Sequence, residues 1–119
     1  MTISLEGHQR AALMKLAHHL KPVATVGKLG LTPEIAAHVD RELAQHELIK
    51  IRFTDYKSVR RDITEQLSRD VSASLVQVIG HVGVLYRPAD DPEDRAIELP
   101  PRKRESAPSE QPSSSGGTE

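Results

Sequence analysis

Four residues, Gly27-Lys28-Leu29-Gly30, have the types and spacing to hold a phosphate chain. They follow an apolar run, Val23-Ala24-Thr25-Val26, that reads as a strand. They precede Leu31-Thr32-Pro33, which reads as a helix start. Neither glycine has a Cβ to keep a ligand backbone away, and each can adopt a positive φ. N–H groups in the first turn of the following helix lack partners within it and can face anionic oxygens. Lys28 adds a full positive charge. The tetrapeptide by itself is weakly specific, and its plain alternative is a tight turn between a strand and a helix.

Other cations are candidates for the same chemistry. The first helical segment carries His8, Arg10, Lys15, His18 and His19, with Lys21 just beyond it. A solvated face is the ordinary explanation, but contiguity in sequence with the glycine loop favours phosphate contact. Each such contact adds about −0.7 to the logarithmic salt slope on a single strand. Lys50, Arg52 and Arg87 could share an exposed sheet face that binds nucleic acid or protein, or that keeps the sheet soluble. Lys57, Arg60 and Arg61 crowd a helix start, where exposed cations oppose the helix dipole by about 0.3–1 kcal/mol each. Asp55 and Asp62 offset them in part, and a solvated cluster is the simpler reading.

Six histidines raise the question of a metal. His18 and His19 are adjacent, so their side chains diverge on a helix, and His38 and His46 lie eight apart. No His-x-x-x-His spacing occurs, so no metal site is expected. His46 is expected to end the second helix, where its imidazole can meet the last carbonyls. No nucleophile elbow, Walker loop or paired carboxylates support catalysis, and neither an enzyme nor a cofactor is expected. The aromatics are Phe53, Tyr56 and Tyr86 alone. Base stacking on aromatic platforms therefore cannot be the main binding mode, which leaves backbone clamping and shape.

The 119 residues suffice for one domain with a single core. The absence of cysteine excludes disulfides and thiolate metal sites. No apolar run approaches the roughly 20 residues of a membrane span, and the N-terminus lacks a signal-peptide pattern. A cytoplasmic monomer with no membrane partner is the expectation. The net charge of −1 argues against a polyanionic partner, but its distribution reverses the argument. Residues 1–30 hold four basic residues and one acidic, residues 31–87 hold eight of each, and residues 88–119 hold four and eight. The basic surplus thus lies in the segment that ends with the glycine loop, and local charge steers a polyanion.

Periodicity supplies the elements that must position these residues. Ser4 to Leu20 reads as an amphipathic helix with Leu13, Leu16, Ala17 and Leu20 on one face and Ser4 as N-cap. Lys21-Pro22 ends it. After the strand Val23–Val26, a helix from Pro33 to His46 starts on a favourable Thr32 cap with Pro at the first position. Leu48–Phe53 alternates as a half-buried strand. Residues 57–70 read as a helix on Val59, Ile63 and Leu67. Leu75–Ile79 and Val82–Arg87 read as a hairpin about Gly80-His81. The order αβαβαββ implies a small α/β domain, two-layer or sandwich, around a four-stranded mixed sheet. The expected core is Leu13, Leu16, Val26, Ile35, Val39, Leu43, Ile49, Ile51, Ile63, Leu67, Val76, Val78 and Leu85.

Composition changes after Arg87. Residues 88–119 hold six of the eight prolines and end in Pro-Ser-Ser-Ser-Gly-Gly followed by Thr-Glu. The domain is expected to span 1–88, and 89–119 to form a disordered Pro/Ser/acid-rich tail, with Ala96–Leu99 packing weakly. Arg102-Lys103-Arg104 reads as a solvated basic cluster. The tail's acids could compete for the basic face.

Several blocks resemble one known family. They are Leu16-Ala17-His18, Leu20-Lys21-Pro22-Val23, Val26–Thr32 with its glycine loop, His46-Glu47-Leu48-Ile49-Lys50, Val76-Gln77-Val78-Ile79-Gly80 and Leu85-Tyr86-Arg87-Pro88. In this order and spacing they are similar to the CRM domain, and in particular to stand-alone bacterial YhbY-like proteins, over residues 4–88. The resemblance implies an RNA-binding domain related in fold to KH modules and to the C-terminal domain of translation initiation factor three. It also implies an association with precursors of the large ribosomal subunit, hence with ribosomal RNA and ribosomal proteins. By likeness, Gly27, Lys28, Leu29 and Gly30 match the family's RNA-contacting loop. The charge and helix-start readings above, not the likeness, add Thr32, Arg10, Lys15, His18, Lys21, Lys50 and Arg52 as expected further contacts. Leu29 has two readings, against a base or sugar or as an anchor into the core. A module that docks on ribosomal or assembly proteins is the alternative. Gly83 departs from strand preference and implies a bulge in the last hairpin.

Overall fold

The computed structural model describes residues 4–55 and 57–101. Helix α1 spans Gly7–Ala17, strand β1 Pro22–Val26, α2 Pro33–His46, β2 Leu48–Phe53, α3 Arg60–Asp70, β3 Ser74–Ile79 and β4 Val82–Tyr86. Short 3-10 turns occupy Lys57–Val59 and Pro92–Asp94. The strands form one mixed sheet in the spatial order β1-β2-β4-β3. β1 and β2 are parallel, and β4 runs antiparallel to both of its neighbours. The carboxyl ends of β1, β2 and β3 therefore lie at one end of the sheet.

Alternation along the strands sends apolar residues to both faces. Ile49, Ile51, Phe53 and Leu85 meet Val39 and Leu43 of α2 and Leu67 of α3 on one face. Leu48, Val76, Val84 and Tyr86 meet Leu13 and Ala17 of α1 on the other, with Leu5, Ile97 and Leu99. The result is a sandwich with α2 and α3 on one side and α1 on the other. α2 starts as its sequence demands, with the Thr32 hydroxyl accepting the Ile35 N–H at 3.2 Å and Pro33 at the first position.

The last hairpin bulges as expected, but not at Gly83, which has another role. A Cβ there would stand 2.9 Å from Thr64 Oγ1 and 3.2 Å from Ile51 Cγ1, so glycine lets α3 close onto the sheet. The hairpin irregularity lies in the partner strand, between Leu75 and Gln77, where Val76 is the extra residue.

The first helix is shorter than expected. Its N-cap is Glu6, in a reciprocal capping box with Gln9, and its buried line is Gln9, Leu13 and Ala17. Leu16 and Leu20 leave the core and are 48% and 39% exposed. The reason is geometric. The buried face centres on positions four apart, and the helix ends at Ala17, before Leu20 could join a stripe. Ile35 and Ile63 are half-buried against the α2/α3 core, and Val78 is half-buried in β3.

Residues 89–101, assigned to a tail by composition, run against the domain as a strap. The carboxylate of Glu47, just past α2, accepts the N–H of Ala89 at 2.7 Å, of Ala96 at 2.9 Å and of Ile97 at 3.0 Å. Gln9 Nε2 donates to Pro100 O and His8 Nε2 to Pro101 O, both at 2.7 Å. The expected packing of Ala96–Leu99 is present through Ile97 and Leu99, whereas composition did not foresee the rest of the strap, whose hydrogen bonds go to distant residues. Residues 102–119, the Arg102–Arg104 cluster, Tyr56 and the Lys57 side chain lie outside the described residues. Among the described residues, no helix is long and apolar enough to cross a membrane.

Candidate nucleic-acid interface

The Gly27–Gly30 loop leaves the carboxyl end of β1 and enters α2. The Gly30 N–H donates to Gly27 O at 2.9 Å, closing a four-residue turn. Gly30 is at φ +70°, the left-handed region that other L-residues enter at a cost of about 1–2 kcal/mol. Gly30→Ala is therefore expected to lose about 1–2 kcal/mol in urea unfolding, and an unchanged midpoint would contradict that conformation.

Gly27 differs. Its φ is not positive, and a Cβ there would meet Thr54 Oγ1 at 3.5 Å, an ordinary contact. The fold does not demand glycine at this position, which leaves an open approach for a ligand. Leu29 is 87% exposed. Of its two readings, the core anchor is excluded. Leu31 takes that role, half-buried against the α2/α3 core. Lys28 and Leu29 form the apex of the turn, beside the N-terminus of α2.

Strand order brings further groups to this end of the sheet. Thr54 N–H donates to Val26 O at 3.0 Å, and Phe53 N–H to His81 O at 2.7 Å. Arg60 donates from Nε to Asp55 O at 3.2 Å and from Nη1 to Gly80 O at 3.1 Å, tying the loop after β2 to the hairpin turn. Thr54 and His81 are exposed here, and nothing in the linear pattern singled them out. Their neighbourhood arises because β4 inserts between β2 and β3. Arg61 forms an exposed ion pair with Glu65 at 3.2 Å.

The candidate cations do not form one cluster. Arg52 lies one residue from the carboxyl end of β2, exposed, opposite Thr25 and Val82. Lys50 lies nearer the other end, and its Nζ donates to Leu20 O at 3.0 Å. His18 and Lys21 sit before the start of β1, separated from the glycine loop by a five-residue strand, about 16 Å long at 3.3 Å per residue. Arg10 and Lys15 are exposed on α1. Thr32 is occupied with its own helix. Arg87 does not share a face with Lys50 and Arg52. Its Nη1 meets Asp40 Oδ1 at 2.6 Å and Val71 O at 2.7 Å, clamping α2 to the end of α3.

His38 and His46 have partners of their own. His38 Nε2 donates to Val23 O at 2.8 Å, and His46 Nε2 stands 3.6 Å from Glu42 Oε1 rather than at the helix carbonyls. Among the described residues, no group of three or more His, Asp or Glu is placed to hold a metal. The acids of the strap, Asp90, Asp91, Glu93 and Asp94, begin beside Arg87, at the end of the sheet away from the glycine loop. Residues 102–119 hold three acids and three bases. The acidic surplus is therefore part of the strap.

A mixed four-stranded sheet sandwiched by three helices, with a glycine loop leading into a capped helix, defines a small α/β domain. Residues 5–87 match the CRS1 / YhbY (CRM) domain family, and the chain belongs to that family. It is 39% identical over 98 residues to a Haemophilus influenzae protein named "RNA-binding protein", covering 82% of this chain and 96% of that one. It is 35% identical over 97 residues to the Bacillus subtilis "Probable RNA-binding protein YqeI", covering 81% and 99%. The solution structure of a hypothetical protein from Staphylococcus aureus superposes with a TM-score of 0.69 at 33% identity, covering 82% of this chain and all of that one.

Proposed function

We propose that this chain is a non-enzymatic RNA-binding protein that clamps an RNA backbone with its Gly27–Gly30 loop. The observation that carries this reading is the loop apex, where an 87%-exposed leucine stands beside Lys28 at the start of α2. Gly27, which the fold leaves free to carry a side chain, admits the phosphate chain closely. Arg52 and the exposed side of α1 extend the contact. The names of the relatives support RNA as the ligand class. The family resemblance supports a cytoplasmic role in assembly of the large ribosomal subunit, on its precursor RNA and beside ribosomal proteins.

The test compares wild type with Lys28→Asp/Leu29→Asp and with Gly27→Ala on purified large-subunit precursor RNA at two salt concentrations. Circular dichroism verifies the fold. The double variant is expected to lose at least about tenfold in affinity and to show a salt slope shallower by about 0.7 for each phosphate it no longer neutralises. Gly27→Ala is expected to weaken binding while its stability stays within about 0.5 kcal/mol of wild type. Equal binding by all three proteins would make the loop a structural turn and move the function to docking on assembly proteins.

A further inference from the structure

At the end of the sheet opposite the glycine loop lies a cleft of about 400 Å³, walled by Leu16, Leu20, Val23, Leu48 and Ile97 and edged by Lys21 and His46. Its volume falls within the roughly 300–1,000 Å³ of small-molecule sites. The cleft explains the two leucines that left the expected core, since both open into it. Its far wall is fixed. The Ile97 N–H is held at 3.0 Å by the Glu47 carboxylate, itself 4% exposed. Its rim carries a lysine. Lys21 is exposed, Lys50 Nζ caps Leu20 O at 3.0 Å behind it, and His18 and His19 are exposed on the approach from α1. The carboxylate beside His46 is Glu42, at 3.6 Å.

We propose that this cleft takes one unpaired nucleobase of a bound RNA, with Lys21 facing the adjacent phosphate. The proposal rests on the RNA-binding reading above and adds a second subsite to it. Aliphatic walls accept the face of a base without reading its edge, and a rim ammonium meets the charge that every nucleotide carries. An apolar protein side chain would fill the same walls. The exposed ammonium of Lys21 on the rim favours the polyanion. Because the length of β1 separates cleft from loop, the two subsites would engage the same strand several nucleotides apart.

The experiment uses the full chain and two probes, an oligouridylate of about 12 nucleotides and a ribose-phosphate chain of equal length without bases. Fluorescence anisotropy is read for wild type and for Leu16→Ser/Leu20→Ser, substitutions at exposed positions. Wild type is expected to prefer the base-bearing strand at least about fivefold, the effect of burying about 40 Å² of a base's apolar face. The cleft variant is expected to bind both strands alike, with the wild-type affinity for the abasic chain and an unchanged salt slope. Methyl resonances of Leu16, Leu20 and Ile97 in the wild type should shift with oligouridylate and stay fixed with the abasic chain. A cleft variant that keeps the preference, or methyl resonances that do not move, overturns the proposal and leaves the cleft to a protein side chain. Wild type that binds neither probe overturns the RNA-binding reading itself.

Discussion

Replacing Glu47 by alanine is expected to lower the free energy of unfolding by about 3 kcal/mol, from hydrogen bonds to a charged acceptor that are worth about 1.5–3 kcal/mol each before solvent recovers part of the loss. Glu47 joins three segments. Its N–H closes α2 onto Leu43 O at 2.9 Å, its carbonyl accepts the Arg87 N–H at 2.8 Å, and its carboxylate holds the strap. It does so at φ +65°, an unfavourable conformation for a residue with a Cβ. Alanine keeps that backbone cost and abandons the N–H groups of Ala89, Ala96 and Ile97. For a domain of this size the loss corresponds to a fall in Tm of about 10–20 °C. Glu47→Gln retains one acceptor oxygen and should lose about half as much. Hydrogen exchange at Ala96 and Ile97 separates release of the strap from global unfolding. A loss below about 1 kcal/mol with both amides still protected would show that apolar contacts at Ile97 and Leu99 hold the strap without the carboxylate.

The same carboxylate acts on the phenol of Tyr86. Burial raises the Tyr86 pKa above its usual value of 10.0, the nearby Glu47 charge raises it further, and Arg95 opposes both. The folded phenol thus ionises later than the unfolded one. Its contribution to stability is complete below pH 10.0 and declines as pH rises from there through the folded value. In Glu47→Ala the Tyr86 phenol should ionise at lower pH than in wild type, which a site-specific NMR titration can follow.

Gly83→Val is expected to destabilise the domain by about 2–3 kcal/mol, within the usual range for overpacking. Two effects oppose each other here. Valine suits a strand better than glycine, by up to about 1 kcal/mol. Against that, its Cβ would stand 2.9 Å from Thr64 Oγ1 and 3.2 Å from both Thr64 Cγ2 and Ile51 Cγ1. Neither neighbour can yield. Thr64 and Ile51 are fully buried, and the Thr64 hydroxyl donates to Arg60 O at 2.8 Å. Overpacking should win, and Gly83→Ala should lose about half as much. Thr64→Ala removes both threonine contacts, so Gly83→Ala should cost less in that background. A double-mutant cycle in urea measures the coupling. If Gly83→Ala raises stability in the wild-type background, the close approach of α3 is not what keeps glycine in β4.

Local chemistry was legible along the chain. The Thr32-Pro33 start of α2, the alternation of Leu48–Phe53 and the Gly80-His81 turn each depend on neighbours within a few residues. They appear in the structure at, or within a residue of, their expected bounds. The glycine loop was legible for the same reason, because Gly30 takes its left-handed φ in a four-residue turn closed by Gly27 O. Properties set by distant residues were not legible. Leu16 and Leu20 fit an apolar stripe, yet which side of α1 is buried depends on how it lies across β2 and β3. Gly83 looked like a weak strand residue because Thr64, nineteen positions earlier, is invisible to strand propensity. Most of the strap, Ala96–Leu99 apart, looked disordered because its hydrogen bonds go to Glu47, more than forty residues away. The cations near the glycine loop in sequence are divided between two ends of the sheet, since a strand carries its two termini apart. The sequence determined the elements, their order and the exposed glycine loop. Tertiary structure alone decided which helix face is buried, where the domain ends and which charges share a surface, because these depend on contacts between residues far apart in the chain.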